Sequence, residues 1–348
     1  MHSFKIFLSG SLFFLAAACG GGNSASSQLF EIKLGGNKRT FQQNQTVAVR
    51  LQNNKDKVVE NVTYSIDGKE LPLTDNKLTL DIVKLGEKTL TAKVNYEGQS
   101  AEISKKIKVL ASRAPELYTY DIVAVYPHDI HAYTQGLEFH NDTLYESTGL
   151  RGKSFLRQVD YKTGRILKEI KLDDRYFGEG ITILNDKIYQ LTWQSGIGFV
   201  YDLHSFKSLN TFKYNKSKEG WGLCNDGKKL FKSDGTEFIW ILNPDTLAEE
   251  DYIETVTNSS IFNRANELEY VDGKIYANVY QKESMMIINA QSGDIEGVVN
   301  FGGLKEKVTQ HKNLNVLNGV AYSPTRKTFF VTGKNWDKLF EVRIFRKN

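Results

Sequence analysis

Read as a pattern of apolar and polar positions, the chain falls into three stretches. An apolar run at 6–18 leads into a Gly/Ser-rich segment. Between 29 and 110, short runs alternate apolar with polar residues at 31–34, 46–51, 63–66, 77–83, 88–96 and 101–110. A period of two is that of half-buried strands, and Asp67-Gly68 and Glu97-Gly98 between runs suit tight hairpin turns. A segment of about 80 residues with this pattern predicts a small β-sandwich, immunoglobulin-like in general plan, at 29–110. It has no Cys-Trp-Cys signature and no cluster that would carry chemistry, so it reads as a spacer or docking module. Residues 111–117 read as the linker, because Pro115 cannot donate to a ladder and breaks the strand pattern.

From 118 to 348 the pattern repeats. Gly136, Gly180, Gly222, Glu267 and Gly319 each precede an apolar residue, a turn and an aromatic nine or ten positions on: Tyr145, Tyr189, Phe231, Tyr276 and Phe329. The spacings are 44, 42, 45 and 52 residues, a period of the propeller-blade kind. Each repeat has room for four strands except the last, which after Gly333 has room for one, at 338–345. The spare strand at 118–126 is expected to complete it, closing the ring and removing the free sheet edges. The predicted fold is therefore all-β, a five-bladed β-propeller preceded by the sandwich module.

Inner strands of a propeller line a central channel, so equivalent positions converge on one axis. The residues just before the five repeat positions are Gln135, Glu179, Trp221, Asn266 and Asn318. One acid among amides and an indole marks a candidate site. The ends of the second strands are Gly149, Trp193, Gly235, Tyr280 and Gly333 followed by Lys334. With Trp221 and Phe177, the aromatics among them would wall a narrow pocket around Glu179, where lost hydration raises a carboxyl's pKa towards the range useful for moving protons. The plainer alternative is that the polar residues satisfy nearby backbone groups and the aromatics pack between blades.

Composition adds an address and excludes some partners. The net charge of +4 is small and the basic residues are scattered, so nucleic acid is not an expected partner. Residues 1–19 read as an export signal. Small residues before Cys19 and a flexible tail after it, 20–28, resemble a bacterial lipoprotein cleavage site with Cys19 as the lipidated residue, although Leu15 lies one place further from the cysteine than is usual. The expected location is a bacterial cell-envelope membrane, held by a lipid anchor and facing the periplasm. Cys224 then has no partner for a disulfide and reads as a buried small hydrophobe. The histidines form no ligand cluster, His128 and His131 included, so neither a metal nor another cofactor is expected.

At these residues the chain resembles the plant and bacterial type of glutaminyl-peptide cyclotransferase, or glutamine cyclotransferase. The resemblance runs from about 118 to 345 through Tyr133-Thr134-Gln135-Gly136-Leu137, Phe177-Gly178-Glu179-Gly180, Leu191-Thr192-Trp193, Gly220-Trp221-Gly222, Asn266-Glu267-Leu268-Glu269 and Thr332-Gly333-Lys334-Asn335-Trp336. It implies a five-bladed propeller with a glutamate acid/base at Glu179, polar contacts at Gln135, Asn266 and Lys334, and aromatic walls at Phe177, Trp193 and Trp221. Tyr280 stands where the family has a tryptophan, which puts substrate preference in question more than activity.

The implied reaction turns an N-terminal glutamine into pyroglutamate and releases ammonia. One carboxylate can take a proton from the attacking α-amine and return one to the leaving nitrogen, while Asn266 and Lys334 hydrogen-bond the amide oxygen and Gln135 orients the substrate. No nucleophile or metal is required. Two other readings remain open on the sequence. One is a non-catalytic propeller that binds peptides or sugars at an aromatic-lined mouth. The other is a glycosidase with Glu267 or Glu269 as second carboxyl, which ranks lower because both sit beside the axis-facing Asn266.

Overall fold

A computed structural model describes residues 28–347. The export signal, Cys19 and the tether up to residue 27 lie outside the described residues. The described residues divide into two compact units: 28–37, 47–78 and 89–105 form one, and 38–46, 79–88 and 106–347 the other.

Among the described residues nine strands precede the strand at Glu116–Pro127 and the repeats: β1 (Phe30–Leu34), β2 (Thr40–Gln42), β3 (Thr46–Asn53), β4 (Val59–Ile66), β5 (Lys69–Leu71), β6 (Leu73–Thr74), β7 (Lys77–Thr79), β8 (Gly86–Tyr96) and β9 (Gln99–Leu110). In the first unit β1 pairs antiparallel with β3, and β4 with both β5 and β8. Alternate residues point inward, so Phe30, Ile32, Leu34, Ala92 and Val94 are buried, with Phe30 edge-on to Tyr96 at 5.1 Å. Asp67-Gly68 and Glu97-Gly98 adopt positive φ at both residues, as two-residue hairpin turns require. The run expected at 77–83 ends as a strand at Thr79, because the Leu80 backbone turns to exchange hydrogen bonds with Asn44 and Gln45.

The second unit contains β10 (Glu116–Pro127) and the repeats. These are β11 (Thr134–His140), β12 (Thr143–Thr148), β13 (Phe155–Asp160) and β14 (Arg165–Lys171); β15 (Gly178–Leu184), β16 (Lys187–Thr192), β17 (Ile197–Asp202) and β18 (Ser208–Lys213); and β19 (Leu223–Asn225), β20 (Leu230–Ser233), β21 (Phe238–Leu242) and β22 (Glu249–Glu254). They continue with β23 (Ala265–Val271), β24 (Lys274–Val279), β25 (Ser284–Asn289) and β26 (Ile295–Asn300), and end with β27 (Leu317–Ser323), β28 (Thr328–Gly333) and β29 (Lys338–Arg346). The first three groups are four-stranded meanders. The last two are joined by β10, which runs antiparallel to β29 from Tyr118↔Arg346 to Pro127↔Lys338 and, at its start, parallel to β26. The segment 118–126 thus supplies the fourth strand beside β27, β28 and β29, and its bond to β26 joins two groups into one eight-stranded sheet.

The first strands touch in a closed cycle: β11 with β15, β15 with β19, β19 with β23, β23 with β27, and β27 with β11. Apolar residues of consecutive groups fill the wedges between them. Tyr145 and Leu156 pack with Ile181 and Ile188, Leu191 and Val200 with Leu223 and Leu242, and Phe231 and Ile239 with Leu268 and Ile288. Met285 and Val299 pack with Val320 and Phe340, and Leu137 and Val159 with Ala321 and Phe330. The repeating aromatics are these wedge residues, which is why the period is visible in the sequence.

Candidate active site

Four of the inner strands break register at the same point. The ladder shifts between Thr134 and Gly136, Gly178 and Ile181, Ala265 and Leu268, and Leu317 and Val320. These irregularities bracket Gln135, Glu179, Asn266 and Asn318, and a bulge of this kind re-aims the side chain it carries. At Gly136 and Gly180 the glycine that follows is set by crowding between neighbouring first strands. A Cβ on Gly136 would lie 2.6 Å from Ile181 N, and one on Gly180 2.6 Å from Leu223 N and from Trp221 O. The Gly180 amide donates to that same carbonyl at 2.7 Å, so the close approach is a bonded one.

Over these residues lies a cavity of about 220 Å³, lined by Gln135, Glu179, Asn266 and Lys334 and by the rings of Tyr133, Phe177, Trp193, Trp221 and Tyr280. The rings meet edge to face: Tyr133 with Phe177 at 6.0 Å, Phe177 with Trp193 at 5.5 Å, and Trp221 with Tyr280 at 5.3 Å. Such contacts prefer one tilt and hold the walls in place. Lys334 Nζ sits 4.9 Å over the Tyr133 ring and 5.6 Å over Tyr280, where the ring faces attract a cation.

Glu179 is buried, and Gln135 Nε2 donates to its Oε1 at 2.8 Å. Gln135 Oε1 in turn accepts from Asn318 Nδ2 at 3.1 Å, so a relay of amides orients the carboxyl. Burial pushes the Glu179 carboxyl well above the usual carboxylate range, opposed by the Lys334 charge and the Gln135 bond. Burial also brings the Lys334 ammonium down to about 8, and Glu179 resists that fall. Acid and base are thus drawn towards each other's range, an arrangement suited to moving protons near neutrality.

The structure brings together Gln135, Phe177, Glu179, Trp193, Trp221, Asn266, Tyr280 and Lys334 around one cavity. Asn318 stands behind it: fully buried, it bonds Gln135 and the Thr134 carbonyl. Gln135 lines the cavity, where the sequence reading expects a substrate contact, and it also holds Glu179, with one bond at each end of its amide. Two residues of the site were missed. Tyr133 opens a motif noted for Gln135, and Glu219 directly precedes the Gly220-Trp221-Gly222 motif. Glu219 Oε2 accepts from both Trp193 Nε1, at 2.8 Å, and Trp221 Nε1, at 2.9 Å.

Glu267 does not line the cavity. Its oxygens accept from Leu137 N at 3.2 Å and Val320 N at 2.8 Å, tying inner strands together, and burial drives both it and Glu269 well up. A second carboxyl flanking a glycosidic bond is therefore not found at Glu267. His128 is held between the Trp336 carbonyl at 2.8 Å and the Glu146 carboxylate at 3.0 Å, fixing the loop that carries Lys334. Cys224 is free and buried. Among the described residues no group of three or more His, Cys, Asp or Glu side chains is placed to hold a metal ion.

The glutamine cyclotransferase family profile matches residues 90–344. Glutaminyl-peptide cyclotransferase of Arabidopsis thaliana is 38% identical over 250 residues, covering 71% of this chain and 75% of its own length. A crystal structure of Myxococcus xanthus glutaminyl cyclase superposes with a TM-score of 0.63 at 32% identity, covering 67% of this chain and 100% of that one. With the match spanning the cavity and every strand that builds it, the chain belongs to the glutamine cyclotransferase family.

Proposed function

We propose that Glu179 carries the protons in the reaction that membership of this family brings, the conversion of an N-terminal glutamine into pyroglutamate. As a member the chain is an acyltransferase acting on peptides that begin with glutamine. The α-amine attacks the side-chain carboxamide carbon, the new C–N bond closes a five-membered ring, and the C–N bond to the amide nitrogen breaks. Glu179 accepts the proton the amine loses and delivers one to the departing nitrogen, which leaves as ammonia. Lys334 and Asn266 hydrogen-bond the amide oxygen as it gains charge. The aromatic walls enforce the folded conformer that brings amine and carbonyl into contact.

The observation that carries this reading is a single buried carboxyl, one oxygen held by Gln135, facing a buried ammonium across an aromatic cavity. In this reading 118–348 form a five-bladed propeller, supported by the closed cycle of first strands, and the immunoglobulin-like module precedes it. Ammonia release from a short Gln-initiated peptide, with the Nα-acetylated peptide as control, tests the reaction: release from the free peptide alone is expected, and none from either would sink it. We also propose an exported chain anchored through an acylated Cys19, facing the periplasm. Mass spectrometry of the membrane fraction should find acylated Cys19 as the new N-terminus, and a soluble product cut elsewhere contradicts it.

A further inference from the structure

One carboxylate braces both indoles of the cavity. Besides the two tryptophan bonds, Glu219 Oε1 accepts from Gln194 Nε2 at 3.2 Å. Trp193 directly follows β16 and Trp221 precedes β19, so a single side chain joins walls supplied by different repeats. Trp193 meets Phe177 and Trp221 meets Tyr280, so a shift of Glu219 passes to four of the five rings. The wall then closes through Lys334 over Tyr280 and Tyr133, with an anion at one point of the circuit and a cation at another.

The loop that presents Glu219 is held from below. Lys232, fully buried, donates to the Glu219 carbonyl at 2.7 Å, to Glu249 Oε1 at 3.0 Å and to Ser217 Oγ. Glu249 Oε2 accepts from Lys216 N at 2.7 Å and from Ser217 N at 2.9 Å. A buried ion pair costs desolvation and is weak evidence of stability by itself. Here its bonds fix the backbone of 216–219, which sets the brace before any substrate arrives.

Resting on the assignment of the cavity to an N-terminal glutamine, we propose that Glu219 is a positioning residue that fixes both tryptophan walls and, by its charge, sets which end of the substrate faces Glu179. A glutaminyl end carries an ammonium and an amide oxygen. With the Glu219 carboxylate behind the two indoles and the Lys334 ammonium lining the cavity, it has one favoured direction, amine towards Glu179 and the tryptophan walls, amide oxygen towards Lys334. The reverse sets two cations together. The charge also reaches Glu179, adding to the push that burial gives its carboxyl, while Lys334 and Gln135 act the other way. Tyr133 and Tyr214 also interact with Glu179, and the Tyr280 hydroxyl belongs to the same cavity.

Two variants separate brace from charge. Glu219→Gln keeps an oxygen for the indoles and removes the charge; Glu219→Ala removes both. Ammonia release from a Gln-initiated dipeptide, followed across pH with matched melting curves, is the readout. For Glu219→Gln the acid limb of kcat/KM should move to lower pH, since a negative neighbour of Glu179 is gone. For Glu219→Ala the same displacement is expected with a KM about tenfold higher and a smaller change in kcat. An unmoved acid limb in Glu219→Gln, or a folded Glu219→Ala with wild-type KM, overturns the proposal. If Glu219→Ala does not fold, the acid limb of Glu219→Gln decides. A wild-type chain that releases no ammonia sinks the assignment of the cavity and this proposal together, whereas an active wild type with indifferent variants sinks this proposal alone.

Discussion

The Lys334 ammonium, brought down to about 8 by burial against the pull of Glu179, is charged below that pH and loses its charge as pH rises through it. If the charged form holds the amide oxygen, kcat should fall on the alkaline side from about pH 8. Lys334→Arg keeps its charge at every working pH. It should therefore lack that limb, with a plateau lowered about tenfold or more by the bulkier guanidinium. With the same peptide in both assays, the titration of the substrate amine is common to the two profiles. An identical alkaline limb in the Arg variant would remove Lys334 as its source. Glu179, Trp193 and Lys334 were legible because each stands at a fixed offset in a repeat. Glu219 was not, since its role comes from two indoles belonging to different repeats, and no period within one repeat encodes that meeting. Asn318 shows the converse: it keeps its offset but bonds Gln135 and the Thr134 carbonyl, so register alone did not tell lining from support.

At the scale of elements, the site is made where strands end or lose register. Gly149, just past β12, is where Phe177 of the next repeat lies down: a Cβ there would be 2.3 Å from Phe177 Cε1 and 3.0 Å from Gln135 Cγ. Gly149→Ala must therefore push one wall of the cavity and the residue that holds Glu179. Overpacking of this kind costs about 1–3 kcal/mol. A lowered melting temperature with a raised KM is expected, read from thermal melts and from ammonia release against peptide concentration. A wild-type KM in this variant would mean that Phe177 is not a wall the substrate feels. The pattern located the strands of the repeats because each wedge needs an aromatic or aliphatic residue at a fixed place. It extended the run at 77–83 too far, because an alternating pattern does not show that the Leu80 backbone bonds elsewhere. The parallel pairing of β10 with β26 was likewise not legible, since it arises only once the ring is closed.

For the whole molecule, closure of the first strands into a cycle gathers side chains from widely separated positions and leaves one acid at the lined cavity. That acid is held at a cost. The folded-state pKa of Glu179 lies above its ordinary value, so its share of stability is present at low pH and is lost as pH rises through the raised pKa. Glu179→Gln removes this loss and should melt no lower than wild type, with any gain growing as pH rises. The same substitution tests the central claim, because glutamine keeps the shape and the hydrogen-bonding reach but cannot take the amine proton. Turnover of a Gln-initiated peptide, measured as ammonia release by both purified proteins with matched melting curves, should fall at least about a hundredfold, as one group serves both proton transfers. A folded Glu179→Gln within about tenfold of wild type would contradict the account and leave the proton carrier to be found elsewhere.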